Sequence, residues 1–335
     1  DKLSSRSLPS GVTREEVQYF RGISLIHTEQ EAKAQDAFRT GSAGRSNYFG
    51  YLCRDRLITK PESVSSSTEW EASLLTPRPF YRSREEVLTQ TSQSLARIRE
   101  LLFLGLVDEV ALEIRRAGSS AFSDSHIYLF NLAYFSDMGG LPQESLQAAE
   151  RLFNSRFRGT WPDQLPTTVQ RLVYPRHYWQ LVEKEAYANN VDPHLLLAIM
   201  YQESRFDPAA KSVASARGLM QFLVEPARTL AKELTIPVPE AADLYRPDLS
   251  IRLGAYHIKK LLHRHDDSVA ETLAAYNGGS SNAKRWAAKG NQSNAEQYIA
   301  NIGFRETKLY VLKVLGNYLT YRKLYESTDV EAGER

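Results

Sequence analysis

Apolar positions recur at helical spacing along most of the chain. Between residues 13 and 39 they fall at Val17, Phe20, Ile23, Leu25, Ala34 and Phe38. Thr13 and Glu16 precede them at the spacing of a capping box, so the pattern predicts helix over 13–39. A second helical stretch follows near Tyr48–Leu57. Pro61–Thr68 is polar and Ser-rich and reads as a linker, the most protease-sensitive internal site, and Pro77 and Pro79 close the irregular segment.

Two later segments repeat. Gly105–Glu109 and Gly140–Glu144 share the form G-L-x-x-E, 35 residues apart. Each lies between an apolar helical run before it (Leu95–Leu104, Tyr128–Met138) and one after it (Val110–Ile114, Ser145–Phe153). A glycine between two helices at a period of about 34 residues is the pattern of stacked helical hairpins. Residues 13–155 are therefore expected to form a curved all-α array, two unrelated αα-hairpins being the alternative. Trp161–Pro166 reads as a connector, and a change of character after Tyr174-Pro175 places a domain boundary near residue 170.

Asp192-Pro193 has the form of an N-cap and first helical residue. The following helix, His194–Gln202, is apolar nearly all round, as expected of a helix buried within its domain. It ends at Glu203-Ser204. Partial burial disfavours the carboxylate anion and raises its pKa, which is what a glycosidic acid requires. The same pattern also fits a surface glutamate at a helix end. Downstream lie Ser212, Gly218-Leu219-Met220-Gln221, Ala274–Gly279 with Tyr276 and Asn277, and Glu306-Thr307 with Tyr310-Val311.

Composition narrows the classes. A chain of 335 residues suggests two domains, and 42% hydrophobic with 24% charged residues is that of a folded protein. Lys plus Arg is 42 against 40 Asp plus Glu, and basic runs are no longer than Arg115-Arg116 or Lys259-Lys260, which argues against nucleic-acid binding. No apolar run approaches the roughly 18 residues of a membrane span. Cys53 is the only cysteine, which excludes an intrachain disulfide and a cysteine zinc site. The seven histidines form no H-E-x-x-H, and Asp266-Asp267 lacks the ligands of a calcium loop, so neither metal nor cofactor is expected.

In this order and spacing the motifs resemble those of the soluble lytic transglycosylases: E-S, S, G-L-M-Q, A-Y-N-x-G and E-T-x-x-Y-V. The likeness covers residues 174–325 closely and extends to Tyr19–Leu57 and Leu95–Phe153. It implies an all-α fold, a goose-lysozyme-like catalytic domain preceded by a curved array of helical hairpins. The implied segments are 1–57 (hairpins of the superhelical region), 58–80 (linker), 81–170 (helical repeats), 171–327 (catalytic domain) and 328–335 (tail). It implies that Glu203 is the single catalytic acid/base. Ser212 and Gln221 would bind near the N-acetyl group and the cleavage point, Tyr276 and Glu306 would line the sugar cleft, and Met220 and Asn277 are also binding positions. Three departures from the family pattern are Ser215 for glycine, Leu223-Val224 for Met-Pro, and Ser250 for asparagine.

The implied substrate is the glycan strand of peptidoglycan, in the periplasm or cell envelope of a bacterium, the targeting segment not being part of this chain. Ordinary glycoside hydrolysis uses two carboxylates. Only Glu203 stands out here, because Asp207 within F-D-P reads as a turn residue. One carboxylate suits an intramolecular route to a 1,6-anhydromuramoyl end. A muramidase of the same fold, and a non-catalytic scaffold binding a protein partner on its helical array, are the alternatives. The first 160 residues are expected to position the strand and to supply no chemical group.

Overall fold

The structure is a computed structural model that describes residues 8–43, 47–58, 93–118, 125–289 and 294–333. Among these residues it contains helices and no strands; two isolated antiparallel bridges, Lys211 to Arg217 and Arg217 to Phe222, tie one loop. The Pro61–Thr68 linker lies outside the described residues. The chain divides into two compact units, one of residues 1–60 with 178–335, the other of residues 61–177.

The 61–177 unit contains α4 (Gln93–Phe103), α5 (Val107–Ala117), α6 (Ser125–Met138), α7 (Pro142–Arg156) and α8 (Thr167–Val173), each packed on the next in sequence. The repeated glycines stand at the two turns they predict. Gly105 has φ 72° and Gly140 φ 70°, left-handed values that a residue without Cβ adopts at little cost. Ile98, Val110, Ile114, Leu146 and Leu152 are fully enclosed, so each helix hides its apolar stripe against its neighbours.

The other unit opens with α1 (Arg14–His27), α2 (Glu31–Ser42) and α3 (Tyr48–Asp55). Thr13 caps α1, its Oγ1 accepting from the Glu16 N–H at 3.1 Å. The helical stretch over 13–39 turns back on itself as a hairpin of α1 and α2. Glu29 takes a left-handed φ of 58°, and the Thr28 hydroxyl donates to the carbonyls of Ser24 and Leu25 at the end of α1. Folding back lets Tyr19 and Phe38, on opposite arms, meet in one buried aromatic cluster with Phe49.

The same unit continues with α9 (Trp179–Asn189), α10 (Pro193–Ser204), α11 (Val224–Glu233), α12 (Pro247–Arg264), α13 (Val269–Gly278), α14 (Ser280–Ala287), α15 (Ala295–Asn301) and α16 (Arg305–Gly333). At its centre α10 has Leu195 through Met200 all enclosed, and α16 packs on both α10 and α13. The grouping of residues 13–155 into one array is corrected here. Helices α1–α3 pack with the helices after Tyr178, α3 lying against α16, because their buried faces complement that helix. The division falls at residue 177 rather than near 170.

Candidate active site

Asp192 caps α10 by accepting from the His194 N–H at 2.8 Å, and Pro193 occupies the first helical position. The helix stops where Arg205 and Phe206 both turn left-handed, at φ 54° and 59°. Ser204 is buried and donates to the Met200 carbonyl, so it serves the helix end. Glu203 is half-buried on the last turn. Burial pushes its carboxyl up to about 7, against the opposing effect of one hydrogen bond from Tyr310, and no neighbouring carboxylate contributes.

Tyr310 is the residue that the sequence reading left out of the site. It lies on α16, and its hydroxyl donates to Glu203 Oε1 at 2.7 Å. Its ring stacks on that of Tyr276, with 6.5 Å between centroids and 5° between planes. Burial raises both phenols well above their ordinary range, so both remain protonated donors at neutral pH.

Tyr276 in turn donates to the Met220 carbonyl at 2.6 Å. The Met220 N–H donates to Ser250 Oγ at 3.1 Å, so the backbone of the G-L-M-Q turn is held from both sides. Ser250, one of the departures from the family pattern, still supplies an acceptor. The Met220 side chain is fully enclosed and lies against Gly254, where it packs the turn. Gly218 has φ 74°, and a Cβ there would collide with the Leu244 carbonyl oxygen.

The loop before this turn is braced by two further predicted residues. Ser212 Oγ accepts from the Ala216 N–H at 3.0 Å. Gln221, left-handed at φ 49°, donates from Nε2 to the carbonyls of Gly218 at 2.8 Å and Ala210 at 3.2 Å. Ser215 stands at φ 65°, a backbone position that favours glycine. Asn277 is exposed and accepts from the Thr307 hydroxyl at 2.7 Å, tying the end of α13 to the start of α16, and Glu306 is exposed on the first turn of α16. Phe222 and His257 extend the aromatic wall, His257 lying 5.5 Å from Tyr276 and 5.9 Å from Phe222. Burial first, then Lys260 and Arg264, lower the His257 imidazole to about 4, so this wall is neutral around pH 7. Neither residue belongs to a motif: Phe222 directly follows the G-L-M-Q turn, and His257 lies on α12. Among the described residues no group of three or more His, Cys, Asp or Glu side chains is placed to hold a metal ion.

Residues 180–299 match the family described as "Transglycosylase SLT domain". This match covers about a third of the chain. The SLT segment contains Glu203, the braced loop and Tyr276, while Tyr310 lies beyond it. The chain is 25% identical over 352 residues to the soluble lytic murein transglycosylase of Escherichia coli (strain K12), a match covering 96% of this chain and 53% of that protein. It is 30% identical over 164 residues to a membrane-bound lytic murein transglycosylase F of Desulfosudis oleivorans, covering 47% and 32%. The fold is similar to that of an inactive mutant of lytic transglycosylase Slt from Pseudomonas aeruginosa, with a TM-score of 0.65 at 20% identity, over 96% of this chain and 47% of that one. The chain thus spans about half the length of the E. coli relative. Among the described residues no helix is long and apolar enough to cross a membrane.

Proposed function

We propose that the SLT domain of this chain is a peptidoglycan lytic transglycosylase of the bacterial cell envelope. It cleaves the β-1,4 bond between N-acetylmuramic acid and N-acetylglucosamine without consuming water. The observation that carries this reading is a single half-buried carboxyl, Glu203, raised to about 7 by burial with no second carboxylate acting on it. Hydrolysis by paired carboxylates needs a second acid acting with Glu203, and Glu306, the other carboxylate proposed at the sugars, has no effect on the Glu203 proton.

In the proposed reaction Glu203 gives its proton to the glycosidic oxygen as the bond to C1 breaks, and the N-acetylglucosamine side departs with that hydrogen. The substrate's acetamido group stabilises the positive C1 centre. Glu203, now a carboxylate with Tyr310 donating to Oε1, takes the proton of the C6 hydroxyl. O6 bonds to C1, and the product ends in 1,6-anhydromuramic acid. The enzyme returns to its starting protonation state, and the internal nucleophile is already held in place. Gln221 and the exposed Asn277 and Glu306 contact the sugars, and the phenol wall of Tyr276 excludes water. The 61–177 unit positions the strand and is the surface for a protein partner, contributing no chemical group.

Glu203→Gln tests the assignment. It keeps the shape and an acceptor for Tyr310 but has no proton to give. General acid–base help is worth about 10²–10⁴-fold, and here one residue supplies both steps. Turnover of purified sacculi is expected to fall by at least that range with the fold intact by circular dichroism. A variant that keeps more than a tenth of parent turnover would refute the role of Glu203.

A further inference from the structure

The helix that carries Tyr310 is held from the opposite side by the N-terminal hairpins. Successive residues on a helix are about 100° apart, so Lys308 and Tyr310 point to nearly opposite faces of α16. Tyr310 meets Glu203 on one face. On the other, Lys308 Nζ donates to Glu16 Oε1 at 2.8 Å, and both side chains are only 6% exposed. Glu16 is fixed in turn by the capping box of α1, its Oε2 accepting from the Thr13 N–H. A second tie lies twelve residues farther along, about 18 Å at helical rise. The Tyr51 and Thr320 hydroxyls meet at 2.6 Å in a buried contact. Thr320 donates to the Gly316 carbonyl, so Tyr51 is the donor between them. Gly11, at the entrance to α1, lies against Arg305, the first residue of α16.

We infer that Glu16, Lys308 and Tyr51 are positioning residues for the reaction, holding α16 so that the Tyr310 hydroxyl stays within hydrogen-bond reach of Glu203. This rests on the reading of Glu203 as the acid. A buried ion pair is weak evidence for stability in itself, since apolar pairs of similar volume often do as well. What the pair fixes is orientation: Lys308 finds its carboxylate only when α16 lies in one register and rotation against α1. The N-terminal sixty residues are then part of the catalytic unit and not an accessory to it.

The test uses the full chain acting on soluble uncrosslinked glycan strands, with released 1,6-anhydro ends counted by mass spectrometry across pH. Parent and Glu203→Gln are run alongside; an inactive parent, or an active Glu203→Gln, would refute the reading of the acid itself. Given an active parent, Glu16→Gln and Lys308→Met are expected to lower kcat by about tenfold with KM little changed. They are also expected to move the alkaline limb of the rate profile to higher pH, because the Tyr310 bond that lowers the Glu203 pKa is loosened. Tyr310→Phe should move the limb in the same direction. Tyr51→Phe removes one hydroxyl at the far tie and is expected to do the same to a lesser degree. Should a single variant fold poorly, Glu16→Met with Lys308→Met restores burial without the orienting charges, and is expected to keep the slowed kcat and shifted limb. If these variants show only a lower melting temperature, with parent kcat and an unmoved limb per folded molecule, the pair is a stability device and the inference falls.

Discussion

Glu203 holds its proton because of where its own helix leaves it. Standing on the last turn of an otherwise enclosed helix, it loses water without gaining a cation, so its proton is held up to about pH 7. Two consequences can be measured. The acid must be protonated to act, so kcat/KM is expected to be level below about pH 7 and to fall tenfold per unit above it. Folding stability should follow the same proton. Between 4.5, the ordinary value, and about 7 the folded chain keeps a proton that the unfolded chain releases, so stability falls as pH rises through that window. The whole loss is about 3 kcal/mol at 1.36 kcal/mol per unit. Glu203→Gln is therefore expected to melt higher than the parent at pH 8, by up to that amount, and to match it near pH 4.5. Equal melting at both pH values would show that the carboxyl is not desolvated. The place of Glu203 at the end of a capped, apolar helix was legible because those features are local, while it took the motifs downstream to single it out from a surface glutamate. Tyr310 was visible as part of a motif, but its hydrogen bond joins residues 107 positions apart, which no local period encodes.

At the scale of elements, the chain reads most clearly where a backbone position admits few residues. The repeated glycines marked two helix turns, Asp192-Pro193 marked the start of α10, and Thr13 with Glu16 marked that of α1. The turn at 28–30 carries no local marker, because Glu29 is left-handed without being glycine and no proline follows it. The G-L-M-Q turn is the strictest case. Gly218 combines a left-handed φ with a close approach to the Leu244 carbonyl, so alanine is opposed by both strain and collision. Gly218→Ala is expected to cost roughly 3 kcal/mol, read from denaturant midpoints at unchanged slope. Because the same turn presents the Met220 carbonyl to Tyr276, activity per folded molecule should fall as well. A loss under about 0.5 kcal/mol would show that the turn accommodates a Cβ. The fate of Met220 follows the same logic: a motif gives the order of residues, while the direction of each side chain depends on what packs behind it, here Gly254.

Across the whole molecule, near-balanced charge and a lone buried cysteine excluded classes without identifying a partner. The all-α class followed from helical periodicity throughout. The division into units did not, because α1–α3 belong with α16 through contacts such as Glu16 with Lys308, 292 residues apart. Their amphipathic pattern shows that they must pack on something and not on what. The measurement that tests the central claim most directly is digestion of purified sacculi in water enriched in oxygen-18, followed by mass spectrometry of the new muramic acid ends. Attack by the substrate's own O6 predicts 1,6-anhydro ends carrying no label from the solvent, produced by the parent and absent with Glu203→Gln. Reducing ends, each bearing one oxygen-18, would mean that water is the nucleophile and that the site is a hydrolase.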